Sequence, residues 1–158
     1  MKPEMSAYEV TDKIIDAIQS SKYDVIICNF ANADMVGHTG DFDAAVKAIE
    51  AIDHCLDRIV KACTGAGGEI LITSDHGNAE KMRETGNAGE EQIHTAHTSN
   101  LVPFLYIGRP AVAVADTGAL CDIAPTMLYL MGLEQPPEMT GKSLMILEQQ
   151  PVQASGGE

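Results

Sequence analysis

The period of the apolar residues changes twice between Tyr23 and Ser74, and this change restricts the fold more than any other feature of the chain. YDVIICNF (23–30) is continuous, apolar and β-branched, the pattern of a strand covered on both faces. From Phe42 the period becomes helical. Phe42, Val46, Ile49, Ile52, Leu56, Ile59 and Val60 form one stripe, with Asp41 placed to cap the helix and Gly65 to end it. Residues 69–74, EILITS, return to a strand pattern. Strand, helix and strand in that order predict an α/β fold: a mostly parallel sheet with helices on both faces.

The flanking sequence extends the alternation. Ser6 and Glu9 have capping-box spacing, and Val10, Ile14, Ile15 and Ile18 follow at helical intervals, so a helix is expected over 7–19. Residues 31–40 read as a loop, 79–84 as a short helix and the polar stretch 85–100 as a second loop. VPFLYIG (102–108) reads as a strand. LCDIAPTMLYLMG (120–132) reads as a helix capped by Asp122, with Pro125 in its first turn and Gly132 at its end. Residues 133–144 read as extended and 149–158 as a disordered tail. GAGG (65–68) precedes a strand instead of opening a helix, and TGKSL has Pro136 where a phosphate-binding loop needs glycine, so neither marks a nucleotide site.

Composition narrows the function. The 158 residues suit one domain of ordinary size, and 45% hydrophobic residues with no Trp imply an aliphatic core. A net charge of −13 with no basic patch argues against nucleic acid as a partner. No apolar run approaches the ~20 residues that span a bilayer, and MKPEMSAYEV lacks a signal region, so a cytoplasmic protein is expected. Cys28, Cys55, Cys63 and Cys121 form no C-x-x-C pair and read as reduced, small, buried hydrophobes.

The histidines carry the chemistry. His54 lies inside the long predicted helix, whereas His38, His76, His94 and His97 all lie in predicted loops. Asp34 and His38 share one loop, with Gly37 between them to let the backbone fold back. Asp75 and His76 end the strand that begins at Glu69, and HTAHT (94–98) forms a third group. DHGN (75–78) alone reads as a turn. Three carboxylate–imidazole loops at strand ends instead converge on one edge of a parallel sheet. Carboxylate and imidazole without thiolate suit Mn or Zn, and an oxygen-rich octahedral site suits Mn. Asp75 and His76 point to opposite sides of an extended chain, so they either bridge two cations or approach one cluster from two sides.

NADMVGHTG (32–40), LITSDHGNAE (71–80), HTAHTSNLVPFLYIG (94–108) and DIAPTMLYLMGL (122–133) together resemble the cofactor-independent (2,3-bisphosphoglycerate-independent) phosphoglycerate mutases of the alkaline phosphatase superfamily. The resemblance runs from about PEMSA to MTGKSL. It implies that Asp34, His38 and His97 hold one Mn²⁺ and that Asp75 and His76 contribute to a second, and it gives His94 no metal role. It also implies interconversion of 3-phosphoglycerate and 2-phosphoglycerate through a phosphoserine.

The chain departs from that family in what it omits. The family's second metal also uses an Asp from an N-terminal strand and the nucleophilic Ser, and none of the serines here (6, 20, 21, 74, 99, 143 and 155) has that context. The inserted transferase domain with its basic residues is absent as well. Residues 1–148 are therefore expected to be the C-terminal segment of a discontinuous, metal-binding phosphatase domain that is inactive alone and contributes no catalytic nucleophile. The complete enzyme is expected to be monomeric, and the segment to expose apolar surface and self-associate. Two rival readings are a non-catalytic metal-binding module and a stand-alone metallophosphatase that uses water as its nucleophile.

Overall fold

The structure is a computed structural model and describes residues 2–86 and 89–148. The tail expected at 149–158 lies outside the described residues. Backbone contacts divide the chain into two compact units, one ending at Ile107 and one beginning at Gly108.

In the first unit, helix α1 spans Ala7–Gln19, as its spacing predicts. Ser6 occupies the cap position but its side chain makes no capping bond. Helix α2, Asn32–Gly37, forms inside the stretch expected to be a loop. Its buried Asn32 donates its side-chain amide to the Pro3 carbonyl at 2.9 Å, which ties this short helix to the N-terminal segment. Helix α3, Phe42–Gly65, starts at Asp41, whose Oδ1 accepts from the Ala44 N–H at 3.0 Å, the cap the sequence predicts.

Helix α3 buries the stripe of large residues only towards its C-terminal half; near its N-terminus the packed face is the alanine-rich one. Ala44, Ala45, Ala48, Ala51, Cys55 and Ile59 are buried, while Phe42, Val46 and Ile49 are exposed. Small side chains let α1 and α2 approach the helix closely. Val36 and Met82 complete a cluster with Ala44, Ala45 and Ala48. Arg58 on α3 donates to Asp12 on α1 at 2.6 Å, and the Tyr8 and His54 rings meet edge to face at 5.9 Å.

The segment 23–30, expected to be a buried strand, belongs to no strand, and Ile27 is 85% exposed. Its β-branched pattern fits a covered sheet, but a ladder also needs a neighbour. None of the described strands pairs with it. Strand β1 is Ile70–Thr73, and β4, Phe104–Ile107, pairs with it antiparallel, Ile70 opposite Ile107 and Thr73 opposite Phe104. Between them, β2 (Arg83–Thr85) and β3 (Glu91–Ile93) form a hairpin in place of the expected short helix and irregular loop.

In the second unit, β5 (Ala111–Ala113) pairs antiparallel with β6 (Met145–Leu147). A 3-10 turn, Leu120–Asp122, leads into helix α4, Ile123–Leu130. Asp122 precedes α4 without capping it. Its carboxylate instead accepts from the N–H groups of Ala119 and Lys142, both at 2.8 Å, which joins the turn to the segment before β6. A Cβ on Gly141 would overlap the Cys121 carbonyl, so only glycine permits this approach. Thr126, fully buried, accepts from the Leu144 N–H at 2.9 Å and secures the same join.

All the strand pairs among the described residues are antiparallel, where the alternation predicted a mostly parallel sheet. A parallel pair needs a crossover connection. The one crossover of the expected kind is α3, and the strand-like segment that precedes it is unpaired. The cysteines also differ from expectation. All four are free, but only Cys55 is buried, and Cys28 and Cys121 are exposed. No helix among the described residues is long and apolar enough to cross a membrane.

Candidate metal centre

Helix α2 brings the first two donors together. Asp34 and His38 stand four residues apart, so on a helix they share one side, and the Asp34 Oδ1 lies 3.2 Å from the His38 Nε2. Gly37 is helical and plays a different part from the one its flexibility suggested. A Cβ there would overlap the side-chain oxygen of Asn78, so glycine admits the next loop to the site.

The third donor arrives from residue 97. The His97 Nε2 lies 3.1 Å from the Asp34 Oδ1 and 3.1 Å from the His38 Nε2. The His38 Nδ1 lies 2.5 Å from the Thr95 carbonyl, an acceptor only, so Nδ1 carries the proton and donates. That bond leaves the His38 Nε2 lone pair directed at Asp34 and His97. Oδ1 of Asp34 and Nε2 of His38 and His97 thus form a triangle with sides of 3.1–3.2 Å.

This triangle fits a cation. Three mutually perpendicular donors, each ~2.1 Å from a small divalent ion, would stand about 3.0 Å apart. A carboxylate and two imidazoles suit such an ion, and three lone pairs aimed at one point repel unless positive charge lies among them. Among the described residues, Asp34, His38 and His97 make up the group of donors able to hold a metal.

Asp75 and His76 lie beside this group and not within it. They follow β1, and the His76 ring stacks on that of His97 with centroids 3.7 Å apart. The His76 Nε2 is 3.9 Å from the Asp34 Oδ1 and 3.7 Å from the Asp75 Oδ1, and the Asp75 side chain is largely exposed. Ser74 donates its hydroxyl to the His76 carbonyl at 2.7 Å, which fixes the turn. His94, given no metal role, pairs with Glu84 at 3.1 Å on the β2–β3 hairpin. His54 packs on Tyr8 within the helix pair.

Two residues around the donors were not singled out in the sequence. Asn78 is buried, donates its side-chain amide to the Asp34 Oδ1 at 2.9 Å, and lies 3.4 Å from the His38 Nε2. Glu80 accepts from the Asn78 backbone N–H at 2.6 Å, from the Asn100 side chain at 3.0 Å and from the Thr98 hydroxyl. The Thr98 hydroxyl is the main cause that holds the Glu80 carboxyl below its ordinary range. Both residues stand in the quoted motif LITSDHGNAE, but nothing local in it distinguishes them from ordinary turn residues.

The metalloenzyme superfamily is matched over residues 1–135. The chain belongs to that superfamily. Within it, similar proteins are the 2,3-bisphosphoglycerate-independent phosphoglycerate mutases of Shewanella amazonensis, 60% identical over 149 residues, and Thiobacillus denitrificans, 59% identical over 150. Each alignment covers 94% of this chain and 28% of the relative. Among solved structures, phosphoglycerate mutase of Leishmania mexicana at low cobalt concentration is similar with a TM-score of 0.85 and 31% identity, over 93% of this chain and 29% of that one. The chain therefore spans less than a third of the length of these relatives. The α/β class and the resemblance to the cofactor-independent mutases, both expected from sequence, stand on these matches.

Proposed function

We propose that this chain is the metal-ligand segment of a cytoplasmic phosphoglycerate mutase that interconverts 3-phosphoglycerate and 2-phosphoglycerate through a phosphoserine. The observation that supports this reading is the three-donor triangle of Asp34, His38 and His97, in a chain 60% identical to a 2,3-bisphosphoglycerate-independent phosphoglycerate mutase over 149 residues. In this reading residues 1–148 are the C-terminal segment of a discontinuous phosphatase domain. The serine nucleophile, a further Asp ligand and the residues that clamp phosphoglycerate come from outside the 158 residues.

Each side chain then has a defined task. Asp34 supplies negative charge, and the amide of Asn78 holds its Oδ1 in place. His38 keeps its proton on Nδ1, against the Thr95 carbonyl, and presents Nε2 as a lone pair. His97 closes the triangle, and its stacked neighbour His76, with Asp75, presents the donors of a second ion. Two Mn²⁺ ions in the complete site would neutralise charge on the transferring phosphoryl group and favour ionisation of the serine hydroxyl. The three donors of the first group suffice for one cation without other segments, whereas Asp75 and His76 alone make a weak second site.

The test is calorimetric titration of the chain and of His97→Ala with Mn²⁺, beside a coupled assay with 3-phosphoglycerate. One site that the substitution abolishes, and no product from the chain alone, are expected. Protonated imidazoles cannot act as ligands, so affinity should also fall as the pH is lowered. Equal affinity in both proteins would remove His97 as a ligand. Turnover by the isolated chain would overturn its role as a segment of a larger active site.

A further inference from the structure

We propose that Glu80 is the positioning residue of the metal centre: its carboxylate latches the loop after β1 to the segment 97–100, and so sets Asn78 and His97 against Asp34. The proposal rests on the reading of Asp34, His38 and His97 as metal ligands.

The two oxygens of Glu80 serve opposite sides. Oε2 accepts from the backbone N–H of Asn78. Oε1 accepts from the Thr98 hydroxyl and from the Asn100 amide. On the first side lies the residue whose side chain holds the Asp34 Oδ1, and on the second the residue adjacent to His97. A backbone bridge reinforces the connection, with the Thr98 N–H donating to the Gly77 carbonyl at 2.9 Å.

The surrounding backbone is shaped to admit this arrangement. A Cβ on Gly77 would overlap both the Thr98 hydroxyl and the Glu80 carboxylate. A Cβ on Gly37 would overlap the Asn78 side chain at the other end of the same chain of contacts. Two glycines without positive φ are thus required by close approach, one on each side of Asn78. Glu80 itself touches none of the three donors, so it acts through Asn78 and Thr98.

Charge and shape both matter in this role. A glutamine at 80 keeps one acceptor but turns an NH₂ group towards either Asn78 or the Thr98–Asn100 pair. The backbone N–H of Asn78 only donates, so the glutamine oxygen must face it; the NH₂ then meets the Thr98 hydroxyl and the Asn100 amide, which both have to give up donating and reverse their roles to keep the latch closed. Groups that orient ligands from behind typically contribute about 10–100-fold to metal affinity.

The experiment is a Co²⁺ titration of the 158-residue chain, followed by visible absorption and calorimetry. It compares wild type, Glu80→Gln, Asn78→Ala and the double variant, at a temperature where their metal-free circular dichroism spectra superimpose. Glu80→Gln is expected to bind about 10–100-fold more weakly, with altered bands for the bound ion. Glu80→Gln should cost less in the Asn78→Ala background than alone, because the two residues share one line of contacts. Should Glu80→Gln fail to fold, Thr98→Val removes one donor to the carboxylate and is expected to weaken binding in the same direction. Wild-type affinity and bands in a folded Glu80→Gln or Thr98→Val would overturn the latch while leaving the ligand assignment intact. Full additivity of the two losses would also overturn it. Absence of Co²⁺ binding by the wild-type chain would instead remove the ligand assignment on which the latch depends.

Discussion

Gly37 shows how one methyl group can separate folding from function. In an ordinary helix, Gly→Ala gains about 1 kcal/mol of helix propensity. Here the added Cβ meets the buried Asn78 side chain, and overpacking of that kind costs about 1–3 kcal/mol. The two effects largely offset in overall stability, but the displaced residue is the one that holds Asp34. Gly37→Ala should therefore retain its fold and lose divalent-ion affinity. A calorimetric titration beside a thermal melt checks this, and unchanged affinity would dismiss the contact with Asn78 as unimportant. At this scale the sequence was partly legible. Asp34 and His38 were read as sharing a site in one loop folded back at Gly37; the structure brings them together, but as neighbours one turn apart on helix α2. Asn78 and Glu80 were not legible, because the side-chain partners that give them a role lie 18 to 44 positions away in the chain.

Among the elements, α1, α3, β1 and β4 lie where periodicity placed them, while α2 and the three-residue strands β2, β3, β5 and β6 escaped it. Helix α2 has six residues, too few to display a period. The hairpin strands RET and EQI are exposed at every position, so they lack the alternation that reveals a half-buried strand. In α3 the large aliphatic residues marked a stripe, yet near its N-terminus the packed face is the alanine-rich one, because close approach of two helices selects for small side chains. The turn before α4 depends on the ionised Asp122 carboxylate. The backbone N–H groups of Lys142, then Ala119, hold its carboxyl below the ordinary carboxylate range. The carboxylate's stabilising contribution is therefore full above that ordinary range and is lost as pH falls through the lower, folded value. Acid unfolding followed by circular dichroism should show this loss in wild type. Asp122→Asn should flatten that limb, and an identical acid limb in both would exclude the role.

For the molecule as a whole, the sequence described strand surfaces better than their pairing. Val25, Ile26 and Ile27 have the composition of a covered strand and are exposed, as are Leu101, Leu105 and the Phe42–Val46–Ile49 stripe of α3. Composition can specify what suits a sheet interior, but it does not say which segment becomes the neighbour. Exposed apolar side chains on this scale favour association. The mean mass from light scattering should accordingly rise with protein concentration, and Ile27→Lys should reduce the rise. A constant monomer mass up to millimolar concentration would count against it.

The three donors of the triangle also differ in when they come into existence. His97 follows His38 by 59 residues. At a synthesis rate of 5–20 residues per second, that separation corresponds to about 3–12 s. Asp34 and His38 are within one turn of each other as soon as α2 forms, and α2 can pack on α3 before β4 has been made. In the order of synthesis, Asp34 and His38 are therefore made well before the third corner of the triangle. The triangle can close only once His97 has been made, whichever helices have formed by then.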